Sequence, residues 1–156
     1  MKQYKSTVLH STLSDSESAT EAFAASFAAS LPSGTFVALG GDLGAGKTAF
    51  VRGMARHCVP SAFVCSPTYA LVNEYIDEGC ALIHFDMYRI HDEESLYMTG
   101  FYDYFDRNAQ KKCIYAVEWY ENIDFALPNE YYQVNIEKLD GTNRRITVFH
   151  NTRSVQ

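Results

Sequence analysis

Apolar positions recur at helical spacing in two stretches of the N-terminal half. In STLSDSESATEAFAASFAASLPSG, Phe23, Phe27 and Leu31 fall at i, i+4 and i+8 and predict one packed face of a helix. Ser14 and Glu17 have capping-box spacing at its start, and Pro32 with Gly34 stops it. In KTAFVRGMARHC, Val51, Met54, Ala55 and Cys58 fall at i, i+3, i+4 and i+7, so a second helix has a face to lay on a sheet. TFVALG, upstream of it, is a short apolar run of strand character. Further on, a Ser-Pro-Thr turn precedes YALVNEYI, read as a strand ending at Asp77–Gly79, and CALIHFD reads as the next strand. HDEESLYMTGFYDYF reads as short helical pieces broken at Gly100, and KCIYAVEW as another strand. YENIDFALPNE then leads into a hairpin in which YYQVNIEKL and RRITVFH flank the turn DGTN. Neither a repeat nor a linker interrupts this order, so a single domain over residues 1–156 is expected.

Composition narrows the class. With 47% hydrophobic and 21% charged residues in 156, the chain is an ordinary globular protein with one core. Cys58, Cys65, Cys80 and Cys113 lack any C-x-x-C pairing and lie in or beside apolar runs. They are therefore expected to be reduced thiols rather than a disulfide or zinc framework, in a reducing compartment. MKQYKSTVLH lacks the apolar stretch of a signal peptide, and no segment approaches the roughly eighteen apolar residues of a membrane span. A cytoplasmic protein without a membrane partner is the expectation. A formal charge of −6 argues against tight autonomous binding of nucleic acid, so no DNA partner is expected and RNA only through a partner or a local patch.

The chemistry begins at LGGDLGAGKTAF. Gly41, Gly46, Lys47 and Thr48 satisfy G-x-x-x-x-G-K-[ST], between a predicted strand and a predicted helix. In that setting the backbone N–H groups of Gly41, Asp42, Leu43, Gly44, Ala45, Gly46, Lys47 and Thr48 can wrap a triphosphate, Lys47 can reach its outer phosphates, and the Thr48 hydroxyl can bind Mg²⁺. A P-loop protein also needs a carboxylate at the end of a neighbouring strand. ALIHFD offers Asp86 and CIYAVE offers Glu118. Tyr88 and Arg89 follow Asp86 into the loop beyond the sheet, where ligands sit in open α/β folds. Thr68, in SPTY, stands where nucleotide switches reach the γ-phosphate, and Arg89 is the second switch candidate. His84 shares a strand face with Asp86 and is read as a core residue. Trp119, the single tryptophan, is expected to pack near the metal side of the site.

Taken in order, GDLGAGKT, Arg52–Gly53, SPTYALVNEY, HFDMYR and VEW resemble the bacterial TsaE family, formerly called YjeE, over most of the chain. The resemblance implies a three-layer α/β fold, P-loop NTPase-like, with a central mixed sheet that is parallel around the P-loop. It implies an ATPase required for threonylcarbamoyl-adenosine at position 37 of tRNAs reading codons that begin with A. Such a protein works with the TsaD–TsaB heterodimer, in which TsaD transfers the threonylcarbamoyl group from an adenylate made by TsaC. Carried over, the likeness makes Gly41 to Thr48 the phosphate cradle, Thr48 and Glu118 the Mg²⁺ ligands, and Asp86 a carboxylate essential to hydrolysis. It also puts Glu17, Glu121 and Arg144 near the nucleotide. Ala49 stands where many relatives have a second threonine, and Tyr120 where proline can appear. An arginine finger is not assured within the chain, so hydrolysis is expected to be weak alone and stimulated by the partner. The alternative is a small P-loop metabolite kinase, against which the lack of an arginine-rich lid counts. A guanine-nucleotide switch is disfavoured, because neither N-K-x-D nor D-x-x-G occurs.

Overall fold

The computed structural model describes residues 2–68, 70–106 and 110–154. Seven strands form one sheet: β1 (Tyr4–Ser14), β2 (Thr35–Gly40), β3 (Val72–Ile76), β4 (Cys80–Asp86), β5 (Lys112–Glu118), β6 (Glu130–Lys138) and β7 (Arg144–Arg153). Their order is β1-β7-β6-β2-β5-β4-β3. β2 runs parallel to β5 and β6, and β4 runs parallel to β5. β1–β7, β6–β7 and β3–β4 are antiparallel. The fold is therefore α/β with a mixed sheet, parallel around the P-loop.

The central strands are those whose sequences are apolar almost throughout. TFVALG, CALIHFD and KCIYAVE are buried at nearly every position, as strands covered on both faces must be. Alternation then sorts their side chains between two cores. Val37, Leu39, Leu82, Ile114 and Ala116 pack with α1 (Glu17–Ser30) and α2 (Lys47–Cys58). Phe36, Ala38, Ile83, Phe85, Tyr115 and Val117 pack on the opposite face with α3 (Glu93–Met98) and the 3₁₀ segments Phe101–Asp106 and Tyr120–Ala126. These are the three layers. Val51, Met54, Ala55 and Cys58 of α2 all face the first core, as their spacing predicts.

Several local expectations are corrected. β1 has no counterpart in the sequence reading: YKSTVLHSTLS is mostly exposed, and as an edge strand it is held by backbone pairing with β7 rather than by a buried face. The N-cap of α1 is Ser16, which has extended φ and ψ and accepts from the Ala19 N–H, so Ser14 and Glu17 form no capping box. Ser14 closes β1 instead, its hydroxyl donating to the Ser16 carbonyl at 2.9 Å and sharing a 2.7 Å bond with Thr20 Oγ1. β3 is shorter than YALVNEYI, because Leu71 takes a left-handed φ of 71° and gives its N–H to the Pro67 carbonyl. Tyr69 of SPTY lies outside the described residues. The stretch that leads to the hairpin, Tyr120–Ala126, forms 3₁₀ turns interrupted at Ile123.

The cysteines also depart from expectation. Cys58 and Cys80 are joined in a disulfide across a Cα–Cα distance of 5.3 Å, tying the end of α2 to the start of β4, while Cys65 and Cys113 are free. The reading of all four as thiols is overturned, and with it the argument for a reducing compartment. Spacing gave no hint, because the pair meets only when α2 lies over β4. The cross-link closes a sequence separation of 22 residues. On a chain-entropy account its loss lowers stability by about 3 kcal/mol. Thermal melts with and without dithiothreitol should therefore differ, and the Cys58→Ser/Cys80→Ser double variant should melt with the reduced protein; identical melts would show that the bond does not form in solution.

No helix among the described residues is long and apolar enough to cross a membrane.

Candidate functional site

The loop between β2 and α2 is shaped by its glycines. Gly46 is the N-cap of α2 at φ +117°, a left-handed conformation that side chains disfavour, and it makes no side-chain cap bond. The first N–H groups of α2 are thus left for an anion, where the helix dipole favours negative charge. β7 braces this loop from outside: Arg144 Nε donates to the Ala45 carbonyl at 2.9 Å, and its guanidinium reaches Gly44 O at 3.5 Å. Lys47 Nζ donates to the Gly41 carbonyl at 2.7 Å and lies 5.6 Å from the centre of the Trp119 ring. The lysine is poised inside the loop it serves.

The two carboxylates meet because β4 and β5 are parallel neighbours in which Asp86 pairs with Glu118. Period-two alternation directs His84, Asp86 and Glu118 to the face covered by α2. Both carboxylates are buried, at 5% and 6% exposure, and each is held. Asp86 Oδ1 accepts the Tyr88 N–H at 2.9 Å, and Oδ2 accepts the Thr68 hydroxyl at 3.1 Å. Glu118 Oε2 lies 2.8 Å from Nε2 of the fully buried His84. His84 Nδ1 is buried, with no hydrogen-bond partner among the described residues. The geometry fits Nε2–H donating to Glu118 Oε2. His84 is thus a core residue, as expected, and it also supports Glu118. Period two and a parallel neighbour were the signal for it, but strand order was needed to read that signal.

Leu43, Gly44, Gly46, Lys47, Thr48, Thr68, Asp86 and Glu118 line one cavity of about 470 Å³, and Glu17 and Trp119 join them. Glu17, Arg144 and Ala45 meet in a smaller adjoining cavity of about 130 Å³. Gly41 and Asp42 serve the loop through their carbonyls, which accept from Lys47 and from the Ala45 N–H. Arg89 and Glu121 are exposed and line neither cavity, so the structure does not bring them in. Both follow a strand-end carboxylate by three residues in sequence, and the turns there carry them outward. Arg52 and Ser66 line the larger cavity although no role was assigned to them; Arg52 stands one helical turn beyond Thr48, which was the available clue. Trp119, at φ 57°, packs edge-on against Tyr88 at 5.1 Å and stays 43% exposed at the cavity wall. Burial pushes the pKa of the neighbouring Tyr120 hydroxyl up to about 12, with the charge of Glu121 adding to the effect.

The donor chemistry suits a hard cation. Thr48 Oγ1, Asp86 and Glu118 supply oxygen, and no cluster of three or more His, Cys, Asp or Glu side chains among the described residues could hold a metal by itself. Mg²⁺ takes such sites, through one or two protein oxygens completed by water and phosphate.

A model of the family described as "Threonylcarbamoyl adenosine biosynthesis protein TsaE" matches residues 14–146. The chain is 44% identical over 104 residues to the protein of Haemophilus influenzae named "tRNA threonylcarbamoyladenosine biosynthesis protein TsaE", which covers 67% of this chain and 63% of that protein. The proteins of the same name from Bacillus subtilis and Rickettsia typhi are 40% and 36% identical over 82% and 86% of this chain, and 77% and 90% of their own. The crystal structure of Bacillus subtilis YdiB superposes with a TM-score of 0.71 at 28% identity, covering 96% of this chain and 88% of that one.

Proposed function

The chain belongs to the TsaE family of tRNA threonylcarbamoyladenosine biosynthesis proteins, and from that premise we propose that it binds and hydrolyses Mg²⁺-ATP, weakly alone and faster with the TsaD–TsaB heterodimer. One observation carries the reading: Lys47, Thr48, Asp86 and Glu118 line a single cavity at the N-terminus of α2. Catalysis of this kind is positioning and charge neutralisation. The open N–H groups at the start of α2 bind the phosphates, and Lys47 exchanges the Gly41 carbonyl for a phosphate oxygen. Thr48 and Glu118 would hold the metal, with His84 fixing the carboxylate; when bound, Mg²⁺ neutralises charge on the outer phosphates. Asp86 keeps lone pairs beyond those used by Tyr88 and Thr68, and these orient the attacking water. The water oxygen forms a bond to the γ-phosphorus, the bridging oxygen leaves on ADP with its electron pair, and the water proton passes to solvent. Work in threonylcarbamoyl-adenosine formation at tRNA position 37, with tRNA met only through the complex, and a cytoplasmic location complete the proposal.

The kinase alternative gains nothing here, since Arg144 is engaged by the P-loop carbonyls and Arg145 pairs with Glu137 at 3.7 Å. The decisive experiment is ADP release from Mg²⁺-ATP by the protein alone and with the TsaD–TsaB pair, with Lys47→Ala as the blank. Slow turnover that rises at least tenfold with the pair is expected, a modest share of the ~10³ to 10⁵ attached to a missing transition-state cation. Equal turnover in both conditions refutes the partner.

A further inference from the structure

We propose that Arg52 is a ligand of the γ-phosphate, parked on Glu21 while the site holds no triphosphate; the inference rests on the ATP reading above. Arg52 stands one helical turn beyond Thr48 on α2, and helical side chains lean toward the N-terminus, so its head points back to the P-loop end. It lines the cavity there together with Ser66, Thr68 and Asp86. Among the described lining residues only Lys47 and Arg52 are cationic, against the acids Glu17, Asp86 and Glu118. A triphosphate entering this acidic wall needs a second cation, and a guanidinium fork matches phosphate oxygens better than an ammonium does. Arg144 is committed to the carbonyls of Ala45 and Gly44, and Arg89 lines neither cavity.

The parking site is built so that it can be vacated. Arg52 Nη1 meets Glu21 Oε1 at 2.8 Å, with 41% of the arginine side chain exposed. The Glu21 side chain is 17% exposed, so the contact is partly buried, but its arginine end is open to solvent and free to turn to a multiply charged ligand. Arg56 Nη1 lies 3.9 Å from the other oxygen, Glu21 Oε2, so the carboxylate keeps a cation when Arg52 departs. Glu21 comes this near to α2 because Gly53, the residue after Arg52, has no side chain to hold α1 off. The guanidinium has a place beside the cavity and an exchange partner that does not strand its former one.

The test uses Trp119 fluorescence to titrate ADP and a non-hydrolysable ATP analogue against wild type, Arg52→Ala, Arg52→Lys and Glu21→Gln. Wild type should bind the triphosphate more tightly than ADP. Arg52→Ala should lose about tenfold in triphosphate affinity and less than about twofold in ADP affinity, the measure of one charge-assisted contact. Arg52→Lys should recover part of the loss, and Glu21→Gln, which frees the arginine, should tighten triphosphate binding. A variant that weakens both nucleotides equally would point to a structural role and overturn the proposal, as would unchanged discrimination in Arg52→Ala. If Arg52→Ala fails to fold, Glu21→Gln decides alone: tighter triphosphate binding supports the role, and none refutes it. Wild type that binds neither nucleotide removes the ATP reading and this inference together, so the two failures are distinct.

Discussion

Asp86→Asn is expected to lower ATP turnover by about 100-fold while leaving the fold and nucleotide affinity close to wild type, the range lost when the group that positions a reacting water is removed. The substitution preserves shape. The carbonyl of the introduced amide can still accept the Tyr88 N–H, and its NH₂ can donate to the Thr68 hydroxyl, which rotates to become the acceptor. What disappears is the negative charge at the mouth of β4 and the capacity to accept from water on both oxygens. ADP release at saturating ATP, with Trp119 fluorescence as the binding readout and a thermal melt as control, separates these effects. Turnover within about threefold of wild type would remove Asp86 from the chemistry and leave Glu118 as the sole candidate carboxylate.

Gly53→Ala is expected to cost about 3 kcal/mol, at or beyond the usual upper end for overpacking. A Cβ at Gly53 would lie 2.3 Å from the Glu21 carbonyl oxygen, 2.7 Å from Glu21 Cα and 2.7 Å from Ala24 Cβ. Two of these three are backbone atoms, so no rotamer change relieves the clash and α1 must retreat as a unit. The intrinsic preference of a helix for alanine returns at most about 1 kcal/mol. For a protein of this size the difference, about 2 kcal/mol, corresponds to a melting temperature lower by roughly 4–8 °C. Because α1 carries Glu21, the variant should also alter the Arg52 ion pair, visible as a changed preference between ATP and ADP. A melt that coincides with wild type would mean that α1 and α2 do not cross at this point.

The two expectations differ in where they come from. Asp86 was identifiable from its place at the end of an apolar run behind a P-loop. Gly53 was quoted only as half of an Arg-Gly pair, and nothing along the chain said that another helix would come to rest on it. Similarly, the apolar stripe of α2 was legible from spacing, whereas β1 was not, because an edge strand exposed along most of its length has no buried face to leave a periodic trace. The capping box misled by two residues: Ser14 and Ser16 both precede the helix, and only the chain direction out of β1 decided which of them capped it.

What the amino-acid order determined by itself was local: a strand, a glycine loop and a helix that present Lys47 and Thr48, two buried runs that end in Asp86 and Glu118, and the motif series shared with TsaE. These follow from which face a segment must bury and which backbone angles its residues permit, and both are properties of neighbours in sequence. Tertiary structure alone decided the strand order that sets Asp86 beside Glu118, the His84 support, the meeting of Cys58 with Cys80, the placing of Arg89 and Glu121 outside the two cavities, and the pairing of Arg52 with Glu21. Each of these is a contact, or the absence of one, between segments far apart in the chain. Such contacts depend on how whole faces pack, and periodicity reports that a face exists without saying what lies against it.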